Sequence, residues 1–386
     1  MDESLLNLTY NEITDRYECN FYKNKRIESQ IDIDNLNDYR FVFINKYNIK
    51  NFDDSKSIHF NKYCIGVNFD RLNLTDYNIT FDEGVKYIRI FESNTNDVRK
   101  IIENLPSSVT YLDIVMIYCD NELERKMNLL DFDIPEHIKY LKLSGLEYEC
   151  KILNNLPPTL EILETVNIYG DYTNLPANLQ TLIVINNDSD DIDFLDNTDL
   201  ESRIKLNLDC LPYGLKKLYV NNIEDDLPNL PPNLEELTLE YLNYNGDLTN
   251  LPQALKKLQI NRYFKGKINI YPPNLKFLKL ILNSDDEKKK FDLNQLPKTL
   301  KIVYLDGANF DYNLKHGLPP NIEEIYISRF VNVKTELLPS TLKKLHIYQR
   351  SEGRRCNCNS CLAIVRKITT ITHNTTEIII EEGIDY

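Results

Sequence analysis

Hydrophobic residues recur along most of this chain in one short pattern that returns about every 20 residues. Each copy begins with Leu-Pro or a close variant and continues as L-x-x-L-x-Φ, where Φ is a large apolar residue; LPPNLEELTL and LPQALKKLQI are examples. Repetition at such a short period predicts a solenoid, in which each unit packs only on its neighbours. The eleven clear copies have their first prolines at these positions: Pro106, Pro135, Pro157, Pro176, Pro212, Pro231, Pro252, Pro272, Pro297, Pro319 and Pro339.

Three positions of each copy form the expected core, as Leu215, Leu218 and Val220 do in one of them. Across the eleven copies all but one of these positions are apolar, and the exception is Thr165. A chain with 42% hydrophobic residues would not reach this agreement by chance. The positions therefore indicate one continuous apolar core.

The last two core positions of each copy alternate with a single outward residue, which is typical of a β-strand with one buried face. Proline lacks an N–H and fits just before such a strand, where no ladder bond is needed. A unit of ~20 residues leaves no room for a long return helix. We therefore expect a parallel-stranded solenoid, mostly β within the α/β class, with an extended or turn-like convex side and little helix. Degenerate copies at 81–90, where Asp82 replaces proline, and at 371–380 should cap the array.

Charged pairs occupy identical positions in successive copies. Lysines 216–217 are followed by glutamates 235–236 and then by lysines 256–257, and the alternation returns at 323–324 and 343–344. Stacked parallel strands make identical positions lateral neighbours, so opposite charges should pair across the rungs of the solenoid. We expect a solvated, ion-paired face.

The residue between the last two core positions should point outward from each strand and line the concave face. Tyr304, Tyr326 and His346 then form an aromatic stripe on consecutive rungs, with Phe277 and Tyr348 beside it and Tyr219 further along. Exposed aromatic clusters are typical of protein-binding hot spots, whereas lateral packing between strands is the alternative interpretation. The complete outward row is Asp113, Lys142, Glu164, Ile183, Tyr219, Thr238, Gln259, Lys279, Tyr304, Tyr326 and His346.

The repeat as a whole resembles leucine-rich repeats, and its leading Leu-Pro resembles the LP-type repeats of bacterial effectors. It is still more similar to FNIP repeats, which occur in amoebae and in giant DNA viruses of amoebae. The resemblance covers about residues 81–380 and implies a leucine-rich-repeat-like solenoid that binds a protein, in a viral setting a host protein. One departure is that an asparagine ladder after the last core position is mostly replaced by apolar residues. Asn187 and Asn283 keep it, but Leu146, Ile223, Leu242, Tyr263 and Phe330 do not.

Composition and targeting patterns narrow the class of protein. The 386 residues carry 45 Lys and Arg against 59 Asp and Glu, a net charge of −14, which disfavours binding to nucleic acid or to anionic membranes. The sequence shows no secretory signal and no long apolar span. We therefore expect a cytoplasmic monomer, in the host cytoplasm if viral, whose cysteines are free thiols.

Three regions are expected along the chain. Residues 1–80 form an N-terminal cap or small non-repeat region, with a strand-like stretch at 41–44. Residues 81–348 form the array, and residues 349–386 hold a cysteine-containing loop and the last degenerate copy. Some related repeat proteins resemble F-box proteins at the N-terminus, but LLNLTYNEITDRY lacks that pattern.

Cys356, Cys358 and Cys361 form the one unusual chemical cluster, C-x-C-x-x-C. Thiolates at this spacing can share a Zn²⁺ ion if a fourth ligand such as His373 or His346 completes the site. A redox-active or disulfide-forming loop and plain free cysteines are the other interpretations.

Motifs of nucleophilic, phosphate-binding or metallohydrolase sites are absent from the sequence. We therefore expect a non-catalytic protein-interaction scaffold without a cofactor. A substrate-recognition adaptor that recruits a ubiquitin ligase through residues 1–80 and a metal-binding structural protein are the alternatives.

Overall fold

The computed structural model forms two compact units, Met1–Pro212 and Tyr213–Tyr386. We call them the first and second units and describe each by itself. The structure describes residues 25–26, 33–34, 40–45, 56–70, 77–91, 95–115, 132–145, 151–168, 172–185, 210–221, 230–240, 248, 250–261, 268, 270–281, 291–292, 295–306, 310–311, 318–328, 338–350 and 377–383.

The first unit is built on a parallel sheet whose described strands follow the order β1-β2-β4-β6-β7-β8-β9-β10, with a separate parallel pair, β3-β5. Helix α1 (Thr95–Glu103) and a 3₁₀ helix (Lys151–Asn155) lie between the described strands. The strands are β1 (Lys25–Arg26), β2 (Arg40–Asn45), β3 (Ser57–Phe60), β4 (Cys64–Asp70), β5 (Asn78–Phe81), β6 (Tyr87–Phe91), β7 (Tyr111–Val115), β8 (Tyr140–Ser144), β9 (Ile162–Val166) and β10 (Thr181–Ile185).

The second unit repeats this plan without a helix among its described residues. Its sheet is parallel in the order β11-β12-β13-β14-β16-β18-β19-β20, and β15-β17 form a short parallel pair. The strands are β11 (Lys217–Asn221), β12 (Glu236–Glu240), β13 (Lys257–Asn261), β14 (Phe277–Ile281), β15 (Phe291–Asp292), β16 (Ile302–Asp306), β17 (Phe310–Asp311), β18 (Glu324–Ser328), β19 (Lys344–Arg350) and β20 (Glu377–Gly383).

This architecture confirms the predicted fold, a leucine-rich-repeat-like solenoid of parallel strands with little helix. Within the described residues, every clear copy and both degenerate copies supply one strand. Identical repeat positions are direct partners, so Leu237 pairs with Leu218 on one side and Leu258 on the other. All three are at most 2% exposed. The core is therefore a set of stacked aliphatic columns, whose burial supplies the main stabilising term.

The Leu-Pro motif forms a tight turn ahead of each strand. The proline carbonyl accepts a hydrogen bond from the N–H three residues later, at 3.0 Å from Val109 to Pro106 and at 3.1 Å from Leu255 to Pro252. Ten of the eleven copies make this bond in the described residues. The donor is the first core position, so the turn directs that side chain inward before the strand begins.

The turns are also joined from rung to rung by a polar ladder. The residue just before the first core position donates its side-chain proton to a carbonyl on the preceding turn. Asn274 Nδ2 lies 3.0 Å from the Gln253 carbonyl and Asn321 Nδ2 lies 2.7 Å from the Lys298 carbonyl. Thr299 and Thr341 do the same to Pro273 and Pro320, each at 2.6 Å. The asparagine positions weighed in the sequence analysis, 187 and 283, and the five apolar replacements lie outside the described residues.

In the degenerate copy at 81–90, where the proline is missing, acidic side chains at the turn accept hydrogen bonds from the neighbouring rungs. The Asp82 carboxylate accepts the Lys62 N–H at 3.1 Å. The Glu83 carboxylate accepts bonds from the backbone N–H groups of Ser107 at 3.2 Å and Ser108 at 3.0 Å, and from the Ser107 hydroxyl at 3.1 Å. Desolvation acts to raise the pKa of Glu83, but hydrogen bonds from Ser108 and Ser107 outweigh it, so the pKa lies below its ordinary value of 4.5.

Residues 1–80 contribute rungs of the same kind. The strand predicted at 41–44 is confirmed as β2, which pairs in parallel with β4, and β4 pairs with β6. Phe60 and Phe81 on the β3-β5 pair stack at 5.1 Å between ring centroids, and Phe69 meets Phe60 edge-on at 5.7 Å. The ladder thus extends upstream of residue 81, while the proposed three-part division of the chain stays a prediction.

Candidate functional site

In seven strands of the second unit the first and third residues point away from the core, onto a side that we call the outward face: β11, β12, β13, β14, β16, β18 and β19. The third residues form a central row, since strand register pairs Lys279 with Tyr304, Tyr304 with Tyr326, and Tyr326 with His346. Tyr219, Thr238 and Gln259 precede Lys279 in the same row. The sequence placed these residues in one row correctly, and their role in binding remains a prediction.

The aromatic stripe is a continuous stack. The rings of Tyr304 and Tyr326 are 5.6 Å apart and inclined by only 14°, and the His346 ring is 5.5 Å from Tyr326 at 57°. Both tyrosines are partly exposed, whereas His346 is only 5% exposed. The two tyrosines therefore supply the accessible part of the stripe, and His346 supports it from one end.

The other predicted aromatic residues lie at different distances from this stack. Phe277 is partly exposed in the first outward row, paired with Ile302 on the next strand. Tyr219 lies at the other end of the unit, where its hydroxyl donates to Glu240 Oε2 at 2.5 Å. Tyr348 pairs with Ser328 in register, and its side chain lies outside the described part. Phe277 thus lies on the strand next to that of Tyr304, in the neighbouring outward row, whereas Tyr219 lies four strands away from Tyr304.

Lysines border the exposed aromatic rings. The distances from Nζ to ring centroid are 5.5 Å for Lys257 and Phe277, 5.1 Å for Lys279 and Tyr304, and 5.4 Å for Lys344 and Tyr326. Such contacts are attractive because the ring face carries partial negative charge. They also place positive charge at the edge of an apolar surface.

Lys279 lies in the central row and is partly buried. Burial lowers its pKa, and the nearby positive charge of Lys257 acts in the same direction. The carboxylates of Glu240 and Asp306 act in the opposite direction without restoring the ordinary value. A positive charge is thus held in this row at some electrostatic cost.

The charged pairs predicted from the sequence are confirmed as lateral ion pairs. Lys217 Nζ lies 3.1 Å from Glu236, and Lys256 Nζ lies 2.6 Å from Glu235. Lys343 repeats the arrangement with Glu323 at 2.5 Å. Their side chains are 20% to 71% exposed, so each pair contributes ~0–1 kcal/mol.

The outward face of the first unit differs from the sequence expectation of an accessible lining. Asp113 is 3% exposed, Lys142 8% and Glu164 1%. Arg89 Nε lies 3.2 Å from Asp113 Oδ2, and Lys142 Nζ lies 2.9 Å from Glu164 Oε1. Strand alternation shows which way a side chain points but not what covers it, so the burial of both faces could not be derived from periodicity.

A row of three tyrosine rings, of which Tyr111 and Tyr140 are buried, runs beside these charges. The ring centroids of Tyr87 and Tyr111 are 5.8 Å apart, and those of Tyr111 and Tyr140 are 4.4 Å apart. The Tyr140 hydroxyl donates to Glu164 Oε2 at 2.5 Å. Burial raises the pKa of Tyr140, and the charge of Glu164 adds to the effect. Tyrosine at the first strand position in three successive copies was the sequence signal for this stack.

The cysteine cluster at 356, 358 and 361 and its candidate partner His373 lie outside the described residues. Over the described ranges, no group of three His, Cys, Asp or Glu side chains is placed to hold a metal ion. Burial raises the pKa of the Cys64 thiol to about 12, whereas Cys210 is exposed. Among the described residues no helix is long and apolar enough to cross a membrane.

Fold and site together define a leucine-rich-repeat-like solenoid with an aromatic, lysine-bordered outward face in its second unit. Proteins built as repeat solenoids are usually binding scaffolds. No protein-family model matches the chain.

Two known proteins are similar to parts of it. The chain is 24% identical over 174 residues to the probable serine/threonine-protein kinase fnkA of Dictyostelium discoideum, a match that covers 43% of this chain and 20% of that protein. The crystal structure of CroV588, described as a novel circular LRR protein, aligns with 86% of this chain and 50% of that chain, at a TM-score of 0.46 and 18% identity.

Proposed function

We propose that this chain is a non-catalytic protein-interaction scaffold that binds a protein partner on the outward face of its second unit. The resemblance to FNIP-like and LP-type repeats supports this class of function and implies that the face is concave. It also suggests an amoebal or viral setting, with a cytoplasmic host protein as the partner of a monomeric chain. The contact would centre on Phe277, Tyr304 and Tyr326.

One observation carries the proposal. In the described part of the chain two tyrosine pairs stack across neighbouring strands, but Tyr111 and Tyr140 are 7% and 3% exposed, whereas Tyr304 and Tyr326 are partly exposed. A pair of stacked rings that serves only to hold strands together stabilises the fold most when both rings are buried. The second stack leaves large rigid rings accessible on a fixed sheet, which is what a binding hot spot requires.

The test compares proteins retained from an amoebal lysate by three forms of the chain. These are the unaltered chain, a variant with Tyr304→Ala and Tyr326→Ala, and a control with Tyr63→Ala and Tyr213→Ala. The control tyrosines are 38% and 72% exposed and lie away from the stripe. We expect one retained protein to be lost from the stripe variant alone, with circular dichroism showing that both variants are folded. Identical retained sets would contradict the proposal.

The two alternatives depend on parts of the chain that the structure does not describe. The ubiquitin-ligase adaptor would use residues in 1–80, much of which lies outside the described ranges, and the metal-binding protein would use Cys356, Cys358 and Cys361. Both stay predictions. Zinc stoichiometry and co-purification of ligase subunits are the measurements that address them.

A further inference from the structure

The charge alternation across rungs breaks at one place in the second unit. The residues immediately before the strands read Lys216, Glu235, Lys256, Lys276, Lys301, Glu323 and Lys343. The middle three, which we call the lysine triplet, are on adjacent rungs. The Lys276 N–H donates to the Lys256 carbonyl at 2.8 Å, and the Lys301 N–H donates to the Lys276 carbonyl at 2.9 Å. Neighbouring parallel strands are ~4.8 Å apart, so three like charges lie side by side.

The outer two members of the triplet are compensated and the central one is not. Lys256 pairs with Glu235 at 2.6 Å, and Lys301 pairs with Glu323 at 3.1 Å. Lys276 is exposed and has no carboxylate partner among the described residues. Like-charge neighbours in a sheet are destabilising. In a chain with a net charge of −14, this local excess of positive charge stands out.

The break coincides with the apolar part of the outward face. Phe277 follows Lys276 directly, and it is partly exposed beside Ile302. Lys257 Nζ lies 5.5 Å from the centroid of the Phe277 ring and 3.9 Å from Glu236 Oε2, and Lys279 is two residues beyond Phe277 on β14. An accessible apolar centre is therefore bordered by three lysines on two neighbouring rungs.

We propose that this part of the face binds an acidic protein segment, whose apolar side chain packs on Phe277 and Ile302 while its carboxylates pair with Lys257, Lys276 and Lys279. The inference rests on the proposed function and specifies the chemistry of its partner. The inference depends on charge complementarity, because a carboxylate of the partner would supply the negative charge that the row of alternating charges lacks at the lysine triplet. The apolar centre of this face favours a protein segment over a nucleic acid as the partner. A nucleic acid needs a broad positive surface, whereas this chain has a net charge of −14.

Selection from a displayed library of random linear peptides tests the inference on the intact chain. We expect the recovered peptides to be enriched in Asp and Glu and to contain Phe, Leu or Ile. The affinity of a recovered peptide should fall about tenfold, which is ~1.4 kcal/mol, in a variant with Lys257→Gln, Lys276→Gln and Lys279→Gln. A control with Lys62→Gln, Lys86→Gln and Lys298→Gln has the same net charge and should bind as the unaltered chain does.

The possible results separate the two proposals. Peptides that are neutral but lose binding when Tyr304 and Tyr326 are replaced would overturn the acidic-segment inference and leave the binding face intact. Recovery of basic peptides, or no enrichment at all, would also overturn the inference. Equal weakening by the control variant would show a general charge effect and would overturn it too.

Discussion

The buried ion pair between Lys142 and Glu164 gives the sharpest prediction about stability. Glu164 is 1% exposed, and its carboxylate receives Lys142 Nζ at 2.9 Å and the Tyr140 hydroxyl at 2.5 Å. Replacing Lys142 by Met keeps most of the length of the side chain but leaves a buried carboxylate with one donor. Breaking a buried pair in this way costs ~3–5 kcal/mol. We expect ~3 kcal/mol because the Tyr140 hydrogen bond remains.

A second ion pair on the same two rungs provides a matched control. Lys139 Nζ lies 2.7 Å from Glu161 Oε1, and the two side chains are 40% and 17% exposed. The two pairs have the same residue types and differ mainly in burial. Lys139→Met should therefore cost less than ~1 kcal/mol.

Removing the whole buried network should restore most of the stability. A variant with Lys142→Met, Glu164→Leu and Tyr140→Phe leaves neither a lone carboxylate nor a buried hydroxyl without an acceptor. Replacing a complete buried polar set by apolar residues of similar size is often nearly neutral. We expect this triple variant to be more stable than Lys142→Met alone.

The assay is amide hydrogen exchange in β8 and β9, supported by urea unfolding followed by circular dichroism. Local exchange is needed because repeat solenoids can open in segments rather than in one cooperative step. A loss below ~1 kcal/mol for Lys142→Met, or a triple variant as unstable as the single one, would refute the reasoning.

Three further predictions concern the turn ladder, a thiol and acid stability. Asn274→Ala should cost ~1 kcal/mol of unfolding free energy in urea, because a side-chain hydrogen bond between turns is lost; no change in midpoint would contradict this. Iodoacetamide at pH 8 should modify Cys210 in the folded chain and Cys64 only after unfolding, as peptide mass spectrometry would show. Because the pKa of Glu83 is lower in the folded chain than its ordinary value of 4.5, the ionised carboxylate stabilises the fold above pH 4.5. This stabilisation is lost as the pH falls through the folded-state pKa. In the Glu83→Gln variant the thermal unfolding midpoint should therefore decrease less as the pH falls below 4.5. An unchanged pH dependence of the midpoint would contradict this prediction.

The fold could be predicted from the sequence because two independent patterns agree on it. The spacing of Leu215, Leu218 and Val220 fixes which side chains point inward, and the repeat period makes identical positions neighbours. The opposite charges at 217 and 236 can pair only if the strands have the register that the core positions indicate, and the structure pairs these residues directly. Helix α1 was not predicted, because the repeat pattern locates the strands and does not specify the segments between them.

The candidate site was predictable in its order but not in its accessibility. The row from Lys279 to His346 follows from strand alternation alone. The periodicity of the sequence does not show which outward side chains are covered by other parts of the chain. It therefore could not show that Glu164 is buried or that His346 is 5% exposed. The lysine triplet around Lys276 was visible in the sequence, but its uncompensated centre depends on which carboxylates reach which lysines.

The turn ladder was missed for a different reason. Asparagine was sought after the strand, where the leucine-rich consensus places it, whereas Asn274 and Asn321 act before the strand. The signal was present, because Asn, Thr or Ser precedes the first core position in most copies.

The most direct test of the binding face is site-specific photo-crosslinking in the intact chain. A photoreactive phenylalanine analogue in place of Phe277 should form an adduct with one protein in an amoebal lysate. The adduct should disappear when Tyr304→Ala and Tyr326→Ala are added. The same analogue in place of Tyr213, which is 72% exposed, should not form it. Equal adducts from both positions, or none from position 277, would contradict a protein-binding face at this site.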